Sequence, residues 1–534
     1  MSEILPNGRF SVPEVRDFVP ERVKPWLFIL FVLIVQFAGA MYPAAASYVV
    51  GFRGILAEDV MMAGCAQMAG MAVYFALMFR IKFRFQTCYT LLASVSVMLL
   101  GNVLCALTGS VHVLVATAFF VGMARMCATF ACNSTIQLWL TPVRDMTMFF
   151  PYVMIIVESM KALTGITSVY LSFFATWQYM HWLVAGMLIV LLLMVLVLLR
   201  PVKGQNGMPL LGIDWTGAVL WSVFMLCFSF VCVYGDFFDW LASDEIRIAI
   251  VIGAACLAVN LWRATFLRHP YISFQAMTEP NLVRAVVIYL VFNTLMASSN
   301  ILFKGFATTV LGFDMTNSAD LNWYSFAGAV CGSVFSYYTF YRSKWHYKSM
   351  ITVAFALTAA YLAWSYFLLD YNAEKTPLAL PLVCASAATV ILNAVLLTSI
   401  VQSGLPFNIF PQAVAVNSFV GTLGNATFAP AIIKEVLQHT MAKNASLIGA
   451  PMTDFNPDAA RLPLESLMGT VQRQAFAVSA KEIFGWLLIV ALVCLLLLLA
   501  SWSPIRPRAI FPSWSRLRYI VKKAVFPFRT ASGN

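Results

Sequence analysis

The chain has 534 residues, of which 61% are hydrophobic and 11% charged, and its mean hydropathy is +0.82. Apolar runs of about 20 residues recur along the whole length, which excludes a soluble globular protein. The formal net charge of +11 does not point to nucleic acid, because the basic residues sit in short loops and a C-terminal tail, as membrane anchoring requires.

Fourteen apolar spans follow one another, at about 26–48, 57–79, 87–108, 112–139, 151–174, 182–200, 215–238, 246–266, 283–306, 321–341, 349–369, 377–402, 412–437 and 477–501. The short alternating segments of a β-barrel are absent, so the expected fold class is all-α and polytopic. Ala44-Ala45-Ala46 imitates a signal-peptidase site, but the apolar run before it is too long for a signal peptide and reads as an uncleaved first span. The loops alternate in charge. One side carries Arg80, Lys82 and Arg84, then Arg144, Arg200 and Lys203, then Arg342, Lys344 and Lys348. The other carries Glu58 and Asp59, Asp236 and Asp239, Asp314 and Asp320, and Asp370 and Glu374. This asymmetry places both termini in the cytoplasm.

The basic clusters after the second and tenth spans match each other and suggest two six-helix halves with a helix pair between them. Ordinary anchoring of loops would explain the same charges. The expected organisation is a cytoplasmic N-terminal tail (1–25), an N-terminal bundle (26–202), an inserted pair (203–267) and a C-terminal bundle (268–502) with a long outer loop near 439–475. A basic cytoplasmic tail (503–534) follows, and its Trp514 to Lys523 stretch suits either the anionic inner leaflet or water.

The fourth and fifth spans carry charges where a bilayer disfavours them by about 2.5–3.5 kcal/mol each. Arg125, Thr129, Asn133 and Gln137 recur at four-residue steps and form one polar stripe on a helix. Glu158 and Lys161 are three apart and share a face, so they can form a proton or substrate site or a static pair. Lys304 ends a stripe with Asn293 and Asn300 on the ninth span; it either lines a pathway or snorkels to the interface. Gln36, Gln67, Asn102, Asn393 and Asn417 read as interhelical hydrogen bonds. No nucleotide-binding GxxxxGK[ST], HExxH or GxSxG occurs, and the eleven cysteines and five histidines show no metal-ligand spacing. Neither an enzyme nor a cofactor is expected.

Gly212-Ile-Asp214-Trp215-Thr-Gly217, with the following span ending Asp236-x-x-Asp239-Trp240, resembles the start of the inserted pair in 14-span major facilitator transporters of the EmrB/QacA drug/proton antiporter type. Trp177 to Trp182, His269 to Leu282, Val310-Leu-Gly312-Phe and Asn417 to Ala429 fit that family in order and spacing. The resemblance implies a major facilitator fold and proton-coupled export of hydrophobic or amphipathic molecules from a bacterial inner membrane. It also implies a role for Arg125 in proton coupling, with a periplasmic adaptor and an outer-membrane channel as partners. Departures are plain. The basic loop Arg80-Ile-Lys82-Phe-Arg84 lacks the family's acidic residue, Gly165-Ile-Thr-Ser168 lacks the fifth-span proline, and Gln36 stands in a first span without a carboxylate. These losses keep a non-transporting scaffold or sensor open, and a nutrient importer or uniporter as well.

Overall fold

In hydrocarbon every backbone N–H must find an acceptor within its own segment, so long apolar runs become helices. The computed structural model describes residues 14–39, 55–141, 145–202, 210–370, 374–403, 405–406, 409–450 and 463–500. The N-terminal bundle comprises α1 (Lys24–Phe37), α2 (Ala57–Arg84), α3 (Thr87–Leu107), α4 (Val111–Leu140), α5 (Met146–Phe174) and α6 (Trp177–Leu198). Next come α7 (Trp215–Tyr234) and α8 (Asp244–Phe266). The rest comprises α9 (Pro280–Thr309), α10 (Met315–Ser336), α11 (Tyr347–Leu368), α12 (Ala379–Val401), α13 (Phe410–Gly421), α14 (Ala429–Gly449) and α15 (Leu464–Ala500). Among the described residues, eleven helices are long and apolar enough to cross a membrane; α1, α10, α13 and α14 are not among them.

Local sequence sets the helix starts. Asp145 caps α5 by accepting from the Thr147 N–H at 3.0 Å, and Ser243 caps α8 by accepting from Glu245 at 3.2 Å. Proline near the first position opens α1, α9, α13 and α14. Three helices change winding inside the apolar region. Ser299–Phe303 within α9, Tyr337–Arg342 after α10 and Thr422–Phe428 between α13 and α14 are π-helical. Such widened turns cluster at functional sites.

Phe28, Phe31, Leu91, Met98, Ile136 and Met180 are fully buried in the N-terminal core; Phe292, Phe303, Phe306, Tyr361 and Phe484 centre the C-terminal one. α2 and α4 approach so closely that a Cβ on Gly70 would lie 2.0 Å from the Phe119 carbonyl oxygen, and one on Gly122 1.9 Å from that of Gln67. Small residues are what allow such backbone contact between membrane helices. Across the halves α5 packs on α10 and α12, and α2 on α13.

Two expectations need correction. The described residues of the long outer loop expected near 439–475 are largely helical: α14 runs to Gly449 and α15 starts at Leu464. Asn444 Nδ2 donates to Ser479 Oγ at 2.9 Å and Lys443 pairs with Glu482 at 3.4 Å, so polar side chains staple these extensions together. Hydropathy fades there although the helices continue. The N-terminal segment, expected as a tail, is bound to the bundle from Glu14 onward. Arg16 N–H donates to the Leu198 carbonyl at 2.9 Å, and Arg200 N–H donates to that of Glu14 at 2.9 Å. The Glu14 carboxylate accepts from the hydroxyls of Thr87 (2.6 Å) and Thr135 (2.9 Å). Arg144, Lys203 and the 503–534 tail lie outside the described residues.

Candidate functional site

A cavity of about 1680 Å³ runs between the two halves. All eight side chains singled out from the apolar spans line it: Arg125, Thr129, Asn133, Glu158, Lys161, Asn293, Asn300 and Lys304. Gln36, Gln67, Gln137 and Asn393 line it too. Asn102 instead donates to the His181 carbonyl at 2.7 Å inside the N-terminal bundle, and Asn417 is buried away from the cavity.

The four-residue stripe of α4 turns toward α1 and the cavity. Arg125 is 6% exposed and fully engaged on one edge. Its guanidinium donates to the Gly39 carbonyl at 2.9 Å, the Gln36 carbonyl at 3.1 Å and Gln36 Oε1 at 2.7 Å. Gln36 Nε2 in turn donates to Thr129 Oγ1 at 3.0 Å, and that hydroxyl donates to the Arg125 carbonyl at 2.8 Å. These partners are neutral, and Arg125 Nε has none. The arginine is therefore a clamp between α1 and α4 and a cation on the cavity wall at once.

Glu158 and Lys161 pair on α5 at 3.6 Å; the lysine side chain is 56% exposed and reaches into open space. Opposite them, the widened turn of α9 carries Asn300 and delivers Lys304, whose Nζ reaches Asn322 Oδ1 at 3.3 Å. Lys161 lies within electrostatic range of Lys304, and Glu158 within range of the Tyr289 hydroxyl. Asn133 Oδ1 is buried without a partner behind the wall, and Asn293 lies beside the Tyr289 hydroxyl. The apolar wall includes Met68, Met71, Met126, Phe75, Phe130 and Phe292, a set that adapts to irregular shapes.

The cavity reaches the loop residues Phe85 and Gln86 at the end bearing the basic clusters, whereas at the acidic end it stops within helices. Side chains close the acidic end. Lys434 of α14 bridges Glu58 of α2 at 3.5 Å and Asp236 after α7 at 2.8 Å. Tyr170 of α5 donates to Asp320 of α10 at 2.6 Å, which also holds Lys375 at 2.6 Å. Tyr234 donates to Asp59, and Trp240 Nε1 donates to Glu435 at 3.0 Å. Burial pushes the Asp236 carboxyl up, but hydrogen bonds from Lys434 and Gln438 outweigh it and hold the group below the usual range. A depressed carboxylate keeps its contact above its unfolded value of about 3.9 and loses it only in stronger acid, so this latch does not titrate near neutrality.

The residues expected as conformational gates divide in two. Lys82 donates to Thr87 Oγ1 at 2.8 Å and lies 3.9 Å from Glu14, so a carboxylate missing from the loop itself is supplied by the N-terminal segment. Arg80 packs its guanidinium against Gly212, and Arg84 lines the cavity mouth. On the other half Lys344, held at φ 51°, bridges to Asp145 at the start of α5 at 3.1 Å. Arg342 ends the widened turn and Lys348 lies in the first turn of α11.

The family-like motif at 212–217 is a junction. Asp214 Oδ1 accepts from the Gly217 N–H (2.9 Å), Thr216 Oγ1 (2.9 Å) and Arg263 (2.7 Å). Its Oδ2 accepts from the Tyr271 N–H at 3.3 Å. A Cβ on Gly217 would meet that carboxylate at 2.3 Å, which is why glycine stands there; Trp215 points outward. Asp214→Ala is expected to cost about 1–2 kcal/mol, the range for losing a helix cap with its ion pair. A lowered melting temperature in detergent with binding of substrate intact would match; an unchanged melting curve would not.

No family model and no curated protein matches the chain. Solved structures do. A structure of proton dependent oligopeptide transporters aligns with 14% identity and TM-score 0.58, covering 90% of this chain and 98% of its own. Tetrameric PepTSo2 gives 13%, 0.56, 90% and 97%, and the nucleoside transporter NupG 12%, 0.51, 90% and 99%. Such identities speak for architecture alone. The chain is a multi-pass helical membrane protein with the major facilitator fold.

Proposed function

We propose that this protein is a secondary active transporter that exports a hydrophobic or amphipathic small molecule, driven by protons. The observation that carries the reading is the convergence of Arg125, Glu158, Lys161 and Lys304, from both halves, on one cavity between them. Substrate would sit there near the midplane while the halves rock, opening the basic end and the acidic end in turn. The ion pairs at Lys434 and Lys344 would break and re-form as the ends alternate. The reading includes fourteen spans of the EmrB/QacA arrangement, both termini in the cytoplasm of a bacterium, and an adaptor with an outer-membrane channel as partners.

Reconstitution in liposomes tests it. Imposing a pH gradient should drive uptake of a fluorescent amphipathic probe into inside-out vesicles and collapse the gradient. A scaffold or sensor would show neither flux nor collapse. Flux that runs only with the probe's own gradient, indifferent to pH, would make it a uniporter instead.

A further inference from the structure

The cavity wall carries six cations, Lys82, Arg84, Arg125, Lys161, Arg200 and Lys304. It carries only two carboxylates among the described residues, Glu14 and Glu158. Glu14 lies beside Lys82, and Asp17 outside the wall takes Arg200 at 2.7 Å. Within the membrane-spanning helices, Glu158 shares the wall with three cations: Arg125, Lys161 and Lys304. One of these is its own pair partner, Arg125 holds only neutral acceptors, and Lys304 has Asn322. Two positive charges are thus left without a counter-charge in a low-dielectric region, where each is costly. Lys161 and Lys304 moreover come from opposite halves and repel across the gap. A cationic guest would add to that repulsion; an anion would relieve it.

We propose that the cavity binds an organic anion, its carboxylate or sulfonate head between Lys161 and Lys304 and its apolar body against the methionine and phenylalanine wall. Arg125 lines the same space and adds a third cation, and Glu158 is the one carboxylate among the described residues of the membrane-spanning helices that line it. The proposal rests on the transport reading for its purpose, but anion binding stands or falls by itself.

The test uses the full chain in detergent and a matched pair of probes, dansylglycine as the anion and dansylcadaverine as the cation. Fluorescence titration should show saturable binding of the anion, with the cation at least about tenfold weaker, the scale of one charge-assisted hydrogen bond. Lys304→Gln should weaken the anion by about tenfold, and Lys304→Arg should restore it. Lys443→Gln, in the staple between α14 and α15, should change nothing. Should Lys304→Gln fail to fold, Lys161→Gln makes the same comparison. Equal or stronger binding of the cation, no saturable binding of either probe, or indifference to both lysine variants overturns the proposal. Saturable, lysine-dependent anion binding without flux in liposomes would keep the anion site and overturn the transport reading instead. Flux of the cation alone would do the reverse.

Discussion

Glu158→Gln is expected to abolish gradient-driven accumulation in proteoliposomes, by about a hundredfold, the scale on which losing a positioned proton-transfer group acts. The protein should still insert and melt as before. Three observations converge on this side chain. It is the carboxylate that the cavity holds at depth, paired with Lys161 at 3.6 Å and near the Tyr289 hydroxyl. Two carboxylates outside the spans, Asp145 and Asp236, are poorly suited to carry protons near neutrality. Burial raises Asp145, yet Thr147 and Lys344 more than compensate and hold it low, as Lys434 does for Asp236. Glutamine, finally, preserves the shape and hydrogen-bonding reach of the side chain but cannot gain and lose a proton. Downhill exchange of substrate should survive, since it needs binding and rocking without a proton cycle. A variant that still builds a substrate gradient would remove Glu158 from the coupling scheme.

Arg125→Ala is expected to lose both stability and transport. The substitution orphans Gln36 Oε1 and the Gly39 carbonyl, takes one of two donors from the Gln36 carbonyl, and opens a hole between α1 and α4. Leaving buried acceptors unmatched costs about 1–3 kcal/mol each, so a total of about 3 kcal/mol and a clear drop in melting temperature should follow. Arg125→Lys separates the two roles. A lysine keeps the charge but cannot fork to two carbonyls and an amide. If the clamp is all that matters, transport and melting should fall together in both variants. If the charge acts on the guest, Arg125→Lys should bind dansylglycine nearly as well as the parent despite a lower melting point. Undiminished stability in Arg125→Ala would discard the clamp.

Residues that violate the membrane's preference were the most legible. Arg125, Glu158, Lys161 and Lys304 stood out because an ionised group in a long apolar run is costly, and the fold brings all of them to one space. The four-residue recurrence from Arg125 to Gln137 translated directly into one helix face. Lys434 was hidden because it falls in the last turns of an apolar run, where an interfacial lysine is unremarkable; its partners Glu58 and Asp236 come from α2 and the turn after α7. Glu14 carried no periodic signal at all, since its role depends on Thr87 and Thr135 meeting at the base of α3 and α4. The helical extension from Gln438 to Gly449 escaped because hydropathy reports contact with lipid, while the staple at Asn444 and Ser479 works by polar pairing.

The widened turn at Ser299–Phe303 bears on where a charge can be placed. A π turn accommodates an extra residue, and an α-helix advances about 100° per residue, 3.6 to the turn. Were that stretch to tighten, everything beyond it would swivel by roughly one such step, and Lys304 would leave the wall for the helix flank. The C-terminal half would then possess a crank of its own: a local rewinding that withdraws an ammonium group from the vestibule while the bundles stay still.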